Sequence, residues 1–438
     1  MTAPDTHRTV EAVWRIESAR IIAGLARLVR DVGLAEEAAQ DALVAALEQW
    51  PEAGVPDNPG AWLTVTARRR AVDRIRREAG LAEKLRLVGH DLETDPPQGP
   101  QPEQAVLADE IEDDLLRLVF TACHPVLSTE ARVALTLRLL GGLSTEEIAR
   151  AFLTAEATVA QRIVRAKRTL AKAEVPFEVP EGEELAPRLA SVLEVVYLVF
   201  NEGYAATAGD DWMRPALCEE AMRLGRVLTG LMPREPEVHG LIALMEIQAS
   251  RTPARTGPGG EPVLLLDQDR SRWDRLLIHR GLAAHDRAEA LAAEQGTPPG
   301  PYALQAAIAA CHARAGTAGQ TDWVRIAALY TALATRSPSP VVDLNRAVAL
   351  GMAFGPQTGL DLADELADEP ALRGYHLLPG VRGDLLARLG RHGEAAAEFT
   401  RAAGLTRNAR ERGVLLARAA ESARAADGRP APPERPGP

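Results

Sequence analysis

Residues 143–170, Leu143-Ser-Thr-Glu-Glu-Ile-Ala-Arg-Ala-Phe-Leu-Thr-Ala-Glu-Ala-Thr-Val-Ala-Gln-Arg-Ile-Val-Arg-Ala-Lys-Arg-Thr-Leu170, read as a short helix, a tight turn and a basic second helix. Ser144, followed three residues later by Glu147, forms a capping box at the first helix start, and Ile148, Ala149 and Phe152 supply its apolar stripe. Leu153-Thr154-Ala155 is the turn, with Thr154 expected to cap the next helix. In that second helix Val159, Ile163, Ala166 and Leu170 share one side, while Gln161, Arg165, Arg168 and Lys172 share the other. Between Arg162 and Lys172 there are five basic residues and no acidic one, which suits phosphate contact and guanine readout. A plain solvated helix has such faces too, but cap, turn and face agree independently on a helix-turn-helix.

A second basic helix lies upstream. Asn58-Pro59 opens it, Asn as N-cap and Pro in the first turn where its missing N–H does no harm, and it extends to about Glu78. Trp62, Val65, Val72 and Ile75 are expected on its packed face, opposite Arg70, Arg74 and Arg77. Arg68, Arg69 and Arg76 flank the basic row, which Asp73 alone interrupts with an acid. Before it, Val29 to Trp50 reads as a helix pair broken at Asp31-Val32-Gly33, and the second of the pair carries an acidic side of Glu36, Glu37, Gln40 and Asp41. Such a side in isolation is a solvated face. Beside a basic helix it suggests a basic protein partner.

The order Ala35-Glu-Glu-Ala-Ala-Gln-Asp41, Trp50-Pro51, Asn58-Pro59-x-Ala-Trp62-Leu63 and Ala67-Arg68-x-x-Ala71-Val72-Asp73-Arg74-Ile75-Arg76-Arg77 resembles region 2 of a sigma-70-family sigma factor. Leu143-Ser-x-Glu-Glu-Ile-Ala with Thr158-Val, Arg162 and Arg165-Ala166 resembles region 4, and with only a linker between them the chain is similar to the bacterial extracytoplasmic-function class, group IV. The resemblance implies partners and roles. Core RNA polymerase is to be bound through its β′ coiled coil at Glu36, Glu37, Gln40 and Asp41, and through its β flap. Promoter DNA is to be held at the −10 element and its melted strand by Asn58, Trp62, Arg68, Arg69, Arg70, Arg74, Arg76 and Arg77, and at the −35 element by Thr158, Gln161, Arg162, Arg165 and Arg168.

Length and composition bound the rest. A chain of 438 residues exceeds two small helical modules, so further domains are expected, and its alanine- and leucine-rich, aromatic-poor makeup without strand-like alternation predicts an all-α fold. The net charge of −11 is spread over both halves: residues 1–175 carry 22 basic and 27 acidic side chains, and residues 176–438 carry 28 and 34. Positive charge is therefore confined to two helices, which argues against indiscriminate DNA binding by the free chain. Cys123, Cys218 and Cys311 have no disulfide or zinc spacing, Met1 to Arg8 has no apolar signal core, and no run is apolar enough to span a membrane. A cytoplasmic protein without cofactor or metal is expected, and not an enzyme.

The expected layout is region 2 over 10–90, a Pro-rich linker over 91–104, region 4 over 105–174, a helical domain over 184–426 and a disordered tail over 427–438. Breaks fall at His124-Pro125 and Val175–Gly182. The helical domain is punctuated at Thr252–Pro262, Gly296–Pro301 and Ser337–Pro340, and two of its helix pairs, Tyr302–Arg314 with Trp323–Thr335 and Leu385–Gly390 with Glu394–Ala402, look like tetratricopeptide repeats. Phe200-Asn-Glu-Gly-Tyr204, Leu266-Asp-Gln-Asp-Arg270 with Trp273, and Ser339-Pro-Val-Val-Asp-Leu-Asn-Arg346 resemble the C-terminal extension of one subgroup of the same class. That resemblance implies a regulatory domain, with a regulatory protein as its partner. Within it Asp269 is expected as an N-cap rather than a cation ligand, Asn201–Tyr204 as a turn, and His279, His285, His312 and His376 as surface or half-buried residues. The competing reading is a polymerase-independent helix-turn-helix regulator whose repeat domain senses a ligand or peptide; it gives no role to the Arg68–Arg77 helix.

Overall fold

The computed structural model describes residues 3–78, 103–206, 213–258 and 260–428. Of the expected linker over 91–104, residues 91–102 lie outside them, while 103 and 104 already begin a helix; of the expected tail over 427–438, residues 429–438 lie outside them. The fold is all-α, as composition and periodicity predict; beyond helices the described residues contain only an isolated bridge between Thr256 and Pro262. The chain divides into two compact units, Met1–Val199 and Phe200–Pro438.

In the first unit α1 (Ala3–Val29), α2 (Val32–Ala53) and α3 (Pro59–Glu78) pack on one another, and α4 (Glu103–Ala122) packs on α1. The break at residues 30–31 is made by Arg30 at φ 54° and by Asp31, whose Oδ1 accepts the Leu34 N–H at 2.8 Å. Helix α2 passes through Trp50-Pro51 and ends at Ala53, where Gly54 turns the chain at φ 88°. The packed face of α3 differs from the expected one. Leu63, Ala67, Ala71 and Val72 are buried, Trp62 and Ile75 are half-buried, and Val65 is 48 % exposed. Steps of four through Leu63, Ala67 and Ala71 put two alanines at the contact, so α3 approaches its neighbours more closely than a Trp62–Val65 face would allow.

The chain then passes α5 (Thr129–Leu139), α6 (Thr145–Ala151), α7 (Glu156–Lys172) and α8 (Leu185–Tyr204), within which the boundary between the units falls. The breaks after Ala122 and over residues 173–181 are where the prolines predict them. Buried Arg132 of α5 donates to Ser191 Oγ and, at 3.0 Å, to Glu194, while Arg188 donates to the Phe120 carbonyl at 3.0 Å; the first three turns of α8 are thus tied to α4 and α5.

The second unit holds α9 (Pro215–Leu231), α10 (Pro236–Ala249), α11 (Arg275–Glu294), α12 (Pro301–Arg314), α13 (Trp323–Arg336), α14 (Pro340–Phe354), α15 (Pro356–Glu365), α16 (Leu377–Arg388), α17 (His392–Leu405) and α18 (Ala409–Ala426), most of them packed chiefly on their chain neighbours, whereas α12 packs chiefly on α10. Helices α10 and α12 are apolar on nearly every side, which places them in the interior. Buried Glu246 on α10 is held by Arg226 at 2.8 Å and Arg280 at 3.0 Å. Farther on, Leu360, Leu385, Leu386, Phe399 and Leu415 share one cluster. Residues 201–204 are the last turn of α8 rather than an inter-helix turn, and His285 and His312 are buried rather than superficial. All three cysteines are free and buried, Cys123 in the first unit, Cys218 and Cys311 in the second.

Gly203 is the tightest point of that last turn. A Cβ there would lie 2.7 Å from the Cys218 backbone nitrogen and 2.9 Å from the Arg214 carbonyl oxygen, and backbone cannot step aside as a side chain can. Gly203→Ala should therefore destabilise the chain by about 1–3 kcal/mol. Urea denaturation checks this, and an unchanged midpoint would show that α8 and α9 tolerate the extra carbon.

Candidate nucleic-acid interface

The capping box forms as its sequence predicts. The Glu147 N–H donates to Ser144 Oγ at 3.1 Å and the Ser144 N–H to Glu147 Oε2 at 2.8 Å. Arg15 reaches the same carboxylate from α1 at 2.8 Å; burial opposes ionisation, but the hydrogen bonds from Ser144 and the Arg15 guanidinium hold Glu147 below the usual carboxylate range. Leu153 takes φ 47° to make the turn. Thr154 does not cap α7: Ala155 precedes the helix, and no side chain satisfies its first N–H groups. The Thr154 backbone N–H instead bonds the Ala149 carbonyl at 3.0 Å, which fixes the residue to the preceding helix.

Val159, Ile163, Ala166 and Leu170 are all buried, so α7 presents its other side outward. Thr158, Gln161, Arg165, Arg168 and Lys172 are exposed and Arg162 is half-buried. Lys167 leaves the basic set, for it turns to Glu36 on α2. On α3, Asn58 Oδ1 accepts the Ala61 N–H at 3.0 Å, as an N-cap should. Arg68, Arg69, Arg70 and Arg76 are exposed, and Arg77 lies in the helix with its side chain outside the described ones. Trp62 meets Trp50 edge-on, ring centres 5.4 Å apart, next to the loop that carries Asn58. Arg74 is engaged with Glu37 at 2.6 Å, so it joins α3 to the acidic helix.

That acidic helix is split by its surroundings. Glu37 and Asp41 are exposed, and Gln40 is half-buried with its amide 3.5 Å from Glu36 Oε1. Glu36 is 3 % exposed. Its carboxylate takes the Arg138 Nε of α5 at 2.7 Å and the Lys167 ammonium of α7, so it bridges the three-helix unit to the helix-turn-helix. Arg27 on α1 adds a parallel link to Asp114 on α4 at 3.1 Å, and Arg117 meets the same aspartate at 2.7 Å. Arg15, Arg27 and Arg138 were not marked by the sequence pattern, and Lys167 was counted there among the DNA-facing cations. Each reaches its acid across a long stretch of chain, where no local spacing signals it.

This geometry agrees with comparison to known proteins. Residues 16–80 match sigma-70 region 2, residues 117–170 match sigma-70 region 4, and residues 188–289 match a family of unknown function, DUF6596. The chain belongs to the sigma-70 family of transcription initiation factors. It is 45 % identical over 392 residues to the uncharacterized protein R00370 of Rhizobium meliloti (strain 1021), covering 88 % of this chain and 89 % of that one. It is 31 % identical over 156 residues to the ECF RNA polymerase sigma factor SigK of Mycobacterium sp. (strain KMS), covering 35 % of this chain and 76 % of that protein. The SigK of Mycobacterium tuberculosis (strain ATCC 25177 / H37Ra) is also 31 % identical over 156 residues, 34 % of this chain and 78 % of its own. No solved structure matches. Among the described residues no helix is long and apolar enough to cross a membrane, and no group of three acidic, His or Cys side chains is placed to hold a metal ion.

Glu36→Ala would leave Arg138 and Lys167 half-desolvated without their acid and should cost about 3 kcal/mol, as removal of one member of a buried ion pair does. The exposed partner in the Arg74 pair, Glu37, should cost less than about 1 kcal/mol when replaced by Ala. Paired urea titrations of the two variants read the difference; equal losses would show that burial of Glu36 carries no special weight.

Proposed function

We propose that this chain is an extracytoplasmic-function, group IV bacterial sigma factor: it binds core RNA polymerase, directs it to promoters with −35 and −10 elements and helps melt the latter, and it is not itself an enzyme. The observation that carries this reading is the pair of outward-facing arginine-rich helices, α3 and α7, each on its own packed module and in the order of regions 2 and 4. On α7, Thr158, Gln161, Arg162, Arg165 and Arg168 follow the −35 element, an arginine pairing bidentately with a guanine edge where geometry allows. On α3, Arg68, Arg69, Arg70, Arg74, Arg76 and Arg77 track the phosphates of the melted strand, with Asn58 and Trp62 beside the first unpaired base. Glu37, Gln40 and Asp41 form the outward part of the surface offered to the β′ coiled coil, with Glu36 buried behind them, and α5 to α7 meet the β flap. Glu36 then exchanges Arg138 and Lys167 for cations of polymerase, so core binding opens the first unit. The protein acts in the cytoplasm.

The C-terminal helices form a tetratricopeptide-like domain that controls this activity and docks a regulatory protein. The stacking of α12 to α18 on their chain neighbours supports that reading. Run-off transcription with purified core polymerase on promoter fragments tests the whole. Transcripts that need this protein are expected; their absence, with duplex binding by the protein alone, would mark a polymerase-independent regulator instead.

In the same assay Arg165→Ala should lower promoter affinity by about 1–3 kcal/mol if its guanidinium reads a base. Unchanged promoter use would take Arg165 off the contact surface. A chain ended after Tyr204, which keeps the ties of α8 to α5, should transcribe at a rate several-fold away from that of the full chain; equal rates would deny the C-terminal helices any control.

A further inference from the structure

The loop between α10 and α11 carries cations that promoter recognition leaves without a task. Arg251, Arg255 and Arg270 are all buried in the second unit. Arg270 is partly accounted for: its Nη1 donates to the carbonyls of His312 and Ala315 at 2.7 Å each, where α12 ends, and its Nη2 to Thr321 Oγ1 at 3.1 Å. Arg255 donates to the Tyr204 carbonyl and lies 3.5 Å from the centre of that residue's ring. Arg251 is different. It is 7 % exposed and its side chain makes neither hydrogen bond nor ion pair among the described residues; its guanidinium lies over the Trp273 ring at 5.3 Å, with that of Arg270 at 4.9 Å from the same ring.

Four buried nitrogens of this cluster have no hydrogen-bond partner: Nε of Arg251, Nε of Arg270, Nε1 of Trp273 and Nδ1 of His312. Guanidinium and indole groups can only donate, so the cluster holds donors and positive charge in excess of acceptors. No carboxylate pairs with Arg251 or Arg270 among the described residues, and burying an uncompensated charge is heavily penalised. The mutual field is visible in the neighbours. Burial and then Arg251 lower the Arg270 guanidinium, and burial followed by Arg251 and Arg270 takes His312 down to about 3, so His312 stays neutral. Contact with an aromatic face occupies one side of a guanidinium and leaves the N–H groups along its edge available, the edge that grips an oxyanion bidentately.

We propose that Arg251, Arg270, Trp273 and His312 form a binding site for a small oxyanion, a carboxylate or phosphate group that supplies the acceptors and negative charge the cluster lacks. Arg251 is the anchor, since it alone of the two arginines has no competing partner. Arg270 holds the site to the end of α12 and lends its remaining N–H, and Trp273 sets the tilt of both guanidiniums. The residues at the site's loop lie in the segment that matches a family of unknown function, and the site owes nothing to the promoter-binding reading.

Isothermal titration of the full-length protein with inorganic phosphate, and separately with malonate, at ionic strength fixed by sodium chloride tests the site without polymerase or DNA. Saturable one-to-one binding of at least one probe is expected, and which probe binds tells phosphate from carboxylate. Arg251→Met should weaken that binding about tenfold or more, the scale of a lost charge-assisted hydrogen-bond pair, while the exposed Arg272→Met keeps it. Should Arg251→Met fail to fold, Arg251→Lys, which keeps the charge but not the fork, is read in its place. No saturable binding of either probe, or binding equal in the Arg251 variant, overturns the proposal.

Discussion

One carboxylate sets the arrangement of the first unit. Glu36 is stripped of water by its neighbours, and a charge so placed persists only if cations come to it. Arg138 arrives from α5 and Lys167 from α7, so the acidic helix, the helix before the turn motif and the basic helix converge on a single point. The register of α7 follows from this. With Lys167 held inward and Val159, Ile163, Ala166 and Leu170 packed, Gln161, Arg165 and Arg168 have no other direction than outward. The same contact couples the acidic side of α2 directly to the basic helix α7.

Most of the local architecture was legible in the sequence because it rests on local physics. The capping box at Ser144, the cap at Asn58, the breaks at Asp31 and His124-Pro125 and the apolar stripe of α7 each depend on residues within a turn or two of one another. What escaped depends on distant partners. Glu36 and Glu37 are adjacent and chemically alike, yet one is buried between modules and the other exposed, and only the fold distinguishes them. Lys167 likewise sits in a run of cations and differs from Arg168 only in what lies opposite. The packed face of α3 was misplaced because Trp62 and Val65 are the larger hydrophobes, whereas the close helix contact selects the small residues Ala67 and Ala71. Thr154 had the chemistry of a cap, but its backbone was already committed to Ala149.

The second unit is built on another principle. Its central helices are apolar all round, and the ends of neighbouring helices are closed by buried arginines that donate to terminal carbonyls, Arg255 to Tyr204 and Arg270 to His312. A helix C-terminus carries partial negative charge, so a guanidinium there replaces the water that burial removes. The motif Leu266-Asp-Gln-Asp-Arg270 with Trp273 thereby acquires a physical meaning that its sequence does not show: Asp269 caps a short helical turn, which aims Arg270 at the end of α12. Histidines 285 and 312 escaped for the reason Glu36 did, since each lies on a helix whose outer side another helix covers.

The buried cysteines have a practical consequence. A thiol reacts as its thiolate, and burial pushes Cys123 up to about 11 and Cys218 up to about 12, with Cys311 raised as well. At neutral pH the folded chain is therefore shielded from alkylation by both chemistry and access. Cys123 belongs to one unit, Cys218 and Cys311 to the other, so each unit carries its own native label that stays dark until that unit opens. The molecule comes equipped to report, unit by unit, on its own opening.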